Sequence, residues 1–158
     1  MALYSPRRKS YRLEKGKGEE CALCHPYKEQ IICESKSWIL IANWWPYNTG
    51  HVMLVTKRHI EDIVEMNEDE KRELLPFILK VVEVLRKEYS PMGFNIGVNL
   101  GQWSGGSVDH LHIHIVPRYK NDTGFTNVIS GTSVVRETPW ETAERLKRVL
   151  GERVELGT

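Results

Sequence analysis

The sequence has almost no excess of charge: 22 Lys and Arg against 21 Asp and Glu leave +1 over 158 residues. That balance gives nucleic acid or an anionic membrane surface no long-range attraction, and neither is expected as a partner. The basic cluster Arg7-Arg8-Lys9, with Arg12, Lys15 and Lys17, is local and reads as a solvated N-terminal arm over residues 1–18. No apolar run approaches the ~20 residues that span a bilayer. The chain does not open on the apolar h-region of a secretory signal. Cysteine is scarce, at three residues, and without a signal these thiols are expected to be reduced, in a cytoplasmic setting. Internal repeats, linkers and low-complexity tracts are missing. The expectation is a single domain over 1–158, whose 41% hydrophobic and 27% charged residues are ordinary for a soluble globular chain.

What is present is patterned in short segments. Ile31 to Glu34 and Trp38 to Ala42 read as strands with a turn at Lys36-Ser37, and His51 to Thr56 is apolar enough to be central. The loop Trp44-Trp45-Pro46-Tyr47-Asn48-Thr49-Gly50 is punctuated by proline and glycine. Ile60, Ile63, Val64 and Met66 are spaced for a short helix. Asn67 followed by Glu70 is a capping box. It opens a helix to about Tyr89, with Leu74, Leu75, Ile78, Val81, Val82 and Leu85 as the buried stripe. Pro76 removes one helical N–H, which predicts a kink or a restart, and Ser90-Pro91 ends the helix. Phe94 to Leu100 alternates as a fourth strand. Tyr119 to Phe125 is a loop, and Val128 to Val135 is weakly extended. Thr138-Pro139-Trp140-Glu141 carries the cap, first-turn proline and glutamate of a helix start. Trp140, Ala143, Leu146 and Leu150 form its expected buried face, and Gly151 its stop. Together these predict an α+β fold, an antiparallel meander of about five strands with two or three helices.

One stretch stands apart. In Asp109-His110-Leu111-His112-Ile113-His114-Ile115-Val116-Pro117, three histidines alternate with three aliphatics. On a strand His110, His112 and His114 share one face, and the aliphatics enter the core. Upstream, Gly101-Gln102-Trp103-Ser104-Gly105-Gly106-Ser107 can offer backbone N–H groups to an anion. Same-face neighbours on one strand are roughly 7 Å apart, awkward for three rings to meet one metal ion. A division of labour fits better. The middle imidazole can attack phosphorus, a second ring can donate to a phosphate oxygen, and the loop N–H groups with Ser107 can hold developing charge.

These residues resemble the histidine triad (HIT) family, whose signature His-φ-His-φ-His-φ-φ, with φ apolar, is matched by His110 to Val116. Asn43, Pro46, Gly50-His51, Asn99 and Gly105-Gly106-Ser107 extend the resemblance over residues 20 to 118. It implies a HIT-like fold and a nucleotide hydrolase or transferase acting on the phosphorus nearest a nucleoside. His112 matches the nucleophile, oriented by the His110 carbonyl. His114 would contact α-phosphate oxygens with His51 nearby, and Ser107 the bridging or leaving oxygen. Asn99 takes the amide position near the phosphate and Asn43 the ribose-binding position, with Trp44 or Trp45 flanking the base. Gly106 stands where many members carry glutamine, which leaves the phosphate there to the backbone. The His-Ile-Val-Pro-Arg-Tyr continuation is most similar to the branch acting on dinucleoside polyphosphates such as diadenosine tetraphosphate. Hydrolase, phosphorylase and phosphoramidase share the nucleophile and stay open, as does a non-enzymatic nucleotide-binding regulatory module. The resemblance also implies a homodimer, and a divalent ion can accompany the polyphosphate.

Cys21-Ala22-Leu23-Cys24-His25 admits three readings. As half of a zinc site it needs two more ligands. As a c-type haem attachment it needs export. As a redox dithiol it lacks a βαβ context. Some HIT relatives, and the related galactose-1-phosphate uridylyltransferases, complete such a pair with two histidines. The matching positions here are His59 and His110, so the resemblance implies one structural zinc per chain. Cys33, in an apolar strand, reads as a small core residue.

Overall fold

The computed structural model describes residues 21–101, 103–122, 124, 129 and 135–156. The expected N-terminal arm over 1–18, Gln102 of the glycine loop, and most of the expected extended stretch from Val128 to Val135 lie outside the described residues. Among the described residues there are five strands and two α-helices: β1 (Ile31–Glu34), β2 (Trp38–Ala42), β3 (Val52–Thr56), α1 (Glu68–Tyr89), β4 (Gly93–Val98), β5 (His112–Arg118) and α2 (Pro139–Leu150). The strands form one antiparallel sheet in the order β1-β2-β3-β5-β4. β1 to β3 are a meander. The β4–β5 hairpin joins through its second strand, which sets the histidine strand beside central β3. No described helix is long and apolar enough to cross a membrane.

The two faces of the sheet differ. On one, Leu40, Ala42, Val52, Leu54, Ile113 and Ile115 pack against Phe77, Val81, Val84 and Leu85 of α1 and Ala143 and Leu146 of α2. On the other, a smaller cluster of Leu23, Ile41, Met53 and Val55 leaves room for polar groups. Cys33 is fully buried in the larger core, and burial followed by Glu34 pushes its thiol up to about 12. It is therefore an inert packing residue.

Four local expectations change. Ile63–Glu65 is a single 3-10 turn rather than a helix, and Val64 is 81% exposed; Asp62 and Glu65 cap it before a full α-turn can form. α1 runs unbroken through Pro76 without a restart. Leu75, expected in its stripe, is exposed, because the core-facing line runs through Phe77, Val81, Val84 and Leu85 instead. Trp140, expected in the core, is half-exposed, while Ala143 and Leu146 bury as expected.

The α1 cap is also an anchor. Asn67 accepts from the Glu70 N–H at 2.9 Å, and the Glu70 carboxylate accepts from the Asn67 N–H at 2.8 Å. The buried Glu70 carboxylate also takes two bonds of 2.9 Å from Arg58, and the Glu70 carbonyl accepts from Trp38 Nε1 at 3.0 Å. One residue thus ties the helix start to β2 and to the segment after β3. The Arg58 bond holds the Glu70 carboxyl below the ordinary carboxylate range, against the opposing cost of burial. A carboxyl depressed on folding stabilises above its unfolded value, about 4.3, and that stabilisation is lost as pH falls through the folded value. Glu70→Gln keeps the cap geometry without the charge. The variant should melt at lower temperature at pH 7, with the gap from wild type closing below about pH 4. Melting curves whose separation does not change with pH would overturn this.

Candidate functional site

The register of β5 builds a first cluster. His112 lies opposite Val55 and His114 opposite Met53 on β3, and on its other side His114 lies opposite Gly97 of β4. Ile113 and Ile115 between them enter the core, as alternation requires. His110 lies just before this strand, because β5 begins only at His112. Leu111 N–H donates to the Ile60 carbonyl at 2.6 Å, outside the ladder, and the His110 ring turns to different partners. Two imidazoles therefore converge. The His112 and His114 centroids are 4.9 Å apart, while His110 packs edge-on against His59 at 5.0 Å.

Hydrogen bonds fix the ring protons. His112 Nδ1 donates to the His110 carbonyl at 2.6 Å, so its Nε2 carries the lone pair. Tyr47 N–H donates to His51 Nδ1 at 2.9 Å, which puts the His51 proton on Nε2. From there it donates to His114 Nδ1, also at 2.9 Å. His114 is left with its proton on Nε2, as a donor. The Asn43 amide nitrogen, 3.1 Å from His51 Nε2, bonds the Met53 sulfur instead, and Asn43 Oδ1 accepts from Trp45 N–H at 2.9 Å. Burial holds His112 below the ordinary imidazole range, so the ring is neutral at pH 7.

His112 and His114 line a cavity of about 480 Å3. It also takes Asn43, Asn99, Gly105, Gly106 and Ser107, so every expected nucleotide-contacting residue meets in one place. Gly105 has a φ of +89°, a conformation open to glycine at little cost. His51 sits behind the cavity, fully buried, as a positioning ring. Trp44 and Trp45 form part of the wall. Four participants were not singled out from sequence. Tyr47 stacks on His51 and His114, with centroids at 4.8 and 5.9 Å; its place between Asn43 and His51 was the available signal. Tyr27 and Trp140 flank Trp44 at 5.3 and 5.9 Å. Thr56, a threonine in a strand, gave no signal at all.

Thr56 belongs to the second cluster. His110 Nε2 donates to the Thr56 carbonyl at 2.8 Å, which leaves Nδ1 unprotonated. That Nδ1 lies 3.4 Å from Cys21 Sγ and 3.5 Å from Cys24 Sγ, and His59 Nδ1 is 3.2 Å from Cys24 Sγ. All four donor atoms lie within 4.8 Å of one another. A tetrahedral zinc with bonds of about 2.3 Å to sulfur and about 2.0 Å to nitrogen places S and N neighbours about 3.5 Å apart. The two sulfurs, two nitrogens and carbonyl-fixed tautomer of His110 thus fit a tetrahedral metal. The cluster could bind a metal ion.

Comparison with known proteins gives a consistent picture. The family model for the HIT domain matches residues 26–121. The chain is 37% identical over 106 residues to the AP-4-A phosphorylase of Mycobacterium tuberculosis, covering 66% of this chain and 54% of the relative. It is 31% identical over 97 residues to the asymmetrical bis(5'-nucleosyl)-tetraphosphatase of Schizosaccharomyces pombe, covering 61% and 53%. The matches thus span about half the length of these curated relatives. A zinc-bound histidine triad family protein from Mycobacterium smegmatis shares the fold, with a TM-score of 0.66 at 20% identity over 82% of this chain and 91% of that one.

The metal cluster carries its own prediction. Protein purified without chelator should contain about one equivalent of zinc by elemental analysis, and Cys24→Ser should lose it and melt at lower temperature. A folded, metal-free wild type of undiminished thermal stability would refute the assignment.

Proposed function

The chain belongs to the HIT domain family, and we propose that it is an enzyme that cleaves the α-phosphate anhydride of dinucleoside polyphosphates through a covalent nucleotidyl-His112. The bond from His112 Nδ1 to the His110 carbonyl carries this reading, because it aligns a buried, neutral imidazole with its lone pair on Nε2. In the first step Nε2 attacks the α-phosphorus and a P–N bond forms. The bond to the bridging oxygen breaks, and the leaving nucleotide takes its electron pair. His114 Nε2–H, the Ser107 hydroxyl and the N–H groups of Gly105 and Gly106 stabilise the charge on the phosphoryl and bridging oxygens. In the second step water or phosphate attacks the same phosphorus, the P–N bond breaks and His112 regains its lone pair; an attacking water releases its proton to solvent. Asn43 addresses the ribose, Asn99 the phosphate, and Trp44 with Trp45 the base.

The relatives named AP-4-A phosphorylase favour phosphate as the acceptor. Zinc, when bound by Cys21, Cys24, His59 and His110, would act as a structural cross-link, since four protein ligands leave no open position. We take the chain as one cytoplasmic HIT domain with α2 packed on its core, assembled as a homodimer. The sheet edges support the dimer. Residues 152–154 cover β1 through the Glu34–Arg153 bridge, whereas Asn95, Ile96 and Gly97 of edge strand β4 are exposed.

Two measurements test the reading. His112→Ala should cut turnover of diadenosine tetraphosphate by about four orders of magnitude with the circular dichroism unchanged; retained activity would remove His112 as nucleophile. Product analysis with and without inorganic phosphate separates the acceptors. ADP with ATP marks phosphorolysis, AMP with ATP marks hydrolysis, and turnover of adenosine phosphoramidate alone would replace the anhydride by a P–N substrate.

A further inference from the structure

A second cavity, of about 540 Å3, lies along β4 and β5 beyond His114. It shares Tyr47, Asn99, Gly105 and His114 with the nucleotide cavity, so the two meet at the phosphate-handling residues. Each has the size of a small-molecule site. Resting on the reading that His112 accepts a nucleotide, we propose that this groove binds the nucleoside of the departing half of a dinucleoside polyphosphate, with Trp103 as its stacking surface.

Several features support that occupant. A dinucleoside polyphosphate has two nucleosides on either side of the attacked phosphorus, and the two cavities meet at His114. The floor of the groove is open because Gly97, opposite His114, has no side chain. A Cβ built there would meet nothing within 4 Å. One wall is a fixed polar group. Arg118 makes bonds of 2.6 and 3.0 Å to Asp122, and its Nη1 donates to Asn95 Oδ1 at 2.7 Å. With its charge already paired, Arg118 suits a neutral nucleoside better than a phosphate chain. Trp103 is 95% exposed, one residue before Ser104, which lines the groove. Its turn is braced by the Ser104 hydroxyl on the Gly101 carbonyl at 2.7 Å. An indole so exposed, next to a groove-lining residue, has its ring faces available to a base.

The experiment compares wild type, Trp103→Ala and Gly97→Val on diadenosine tetraphosphate and on adenosine phosphoramidate, whose leaving group is ammonia. The ratio of kcat/KM between the two substrates should fall about tenfold in each variant, mainly through KM for the dinucleoside. In parallel, calorimetry on His112→Ala backgrounds compares binding of diadenosine tetraphosphate with binding of AMP. The groove substitutions should weaken the dinucleoside about tenfold relative to AMP. Equal effects on both ligands, or none, would overturn the proposal, including the case in which the groove holds acceptor phosphate or a second copy of the chain. The binding arm needs no turnover. Failure of the catalytic reading with a preserved dinucleoside preference is therefore distinct from failure of the groove.

Discussion

The hydrogen bond from His112 Nδ1 to the carbonyl of His110, at 2.6 Å, joins two sites that would otherwise be separate. The same residue that offers this carbonyl presents its imidazole to Cys21 and Cys24, and its remaining ring proton is held by Thr56. A peptide unit is planar, so the His110 carbonyl turns only with the Leu111 N–H at its other end. That N–H donates to the Ile60 carbonyl at 2.6 Å, which restricts where the His110 carbonyl points, and so how the proposed nucleophile is aimed. The 21–24 turn, the end of β3 and the start of β5 all converge on this residue.

A parallel arrangement governs His114. Its partner His51 is buried behind it, and the backbone of Tyr47 sets the His51 tautomer. The Trp44 to Gly50 loop thereby supplies both the cavity wall and the proton placement of a ring on another strand. α2 contributes at a distance. Ala143 and Leu146 hold it on the core, and Trp140 at its first turn leans on Trp44. One face of the sheet is spent on packing against the two helices; the other is left thinly covered, and polar chemistry occupies it.

Much of this was legible in residue order. The capping boxes at Asn67 and Thr138, the apolar β3, the alternation of Ile113 and Ile115 and the glycine loop are all local signals, and each describes an interaction within a few residues. The errors share a cause as well. Trp140 and Leu75 satisfy helical periodicity, but periodicity does not say where the opposing layer ends. His110 satisfies the strand pattern, but β5 begins only at His112, and the Leu111 N–H before it bonds Ile60 instead of β3. The Thr56 carbonyl and the Tyr47 N–H, which set the His110 and His51 tautomers, are backbone atoms and carry no residue-specific signal.

The sequence by itself determined which side chains could do chemistry: the alternating histidines, the cysteine pair and the small-residue loop, because their types and spacings are chemical facts. Only the tertiary structure decided where the ring protons sit. His110 was drawn to the sulfurs, His112 was left with its lone pair on Nε2, and His114 became a donor. Proton positions on three similar rings depend on which carbonyl or N–H each one meets, and those partners, Thr56, the His110 carbonyl itself and the Tyr47–His51 pair, are brought into place only when β3, the loop before it and β5 pack side by side.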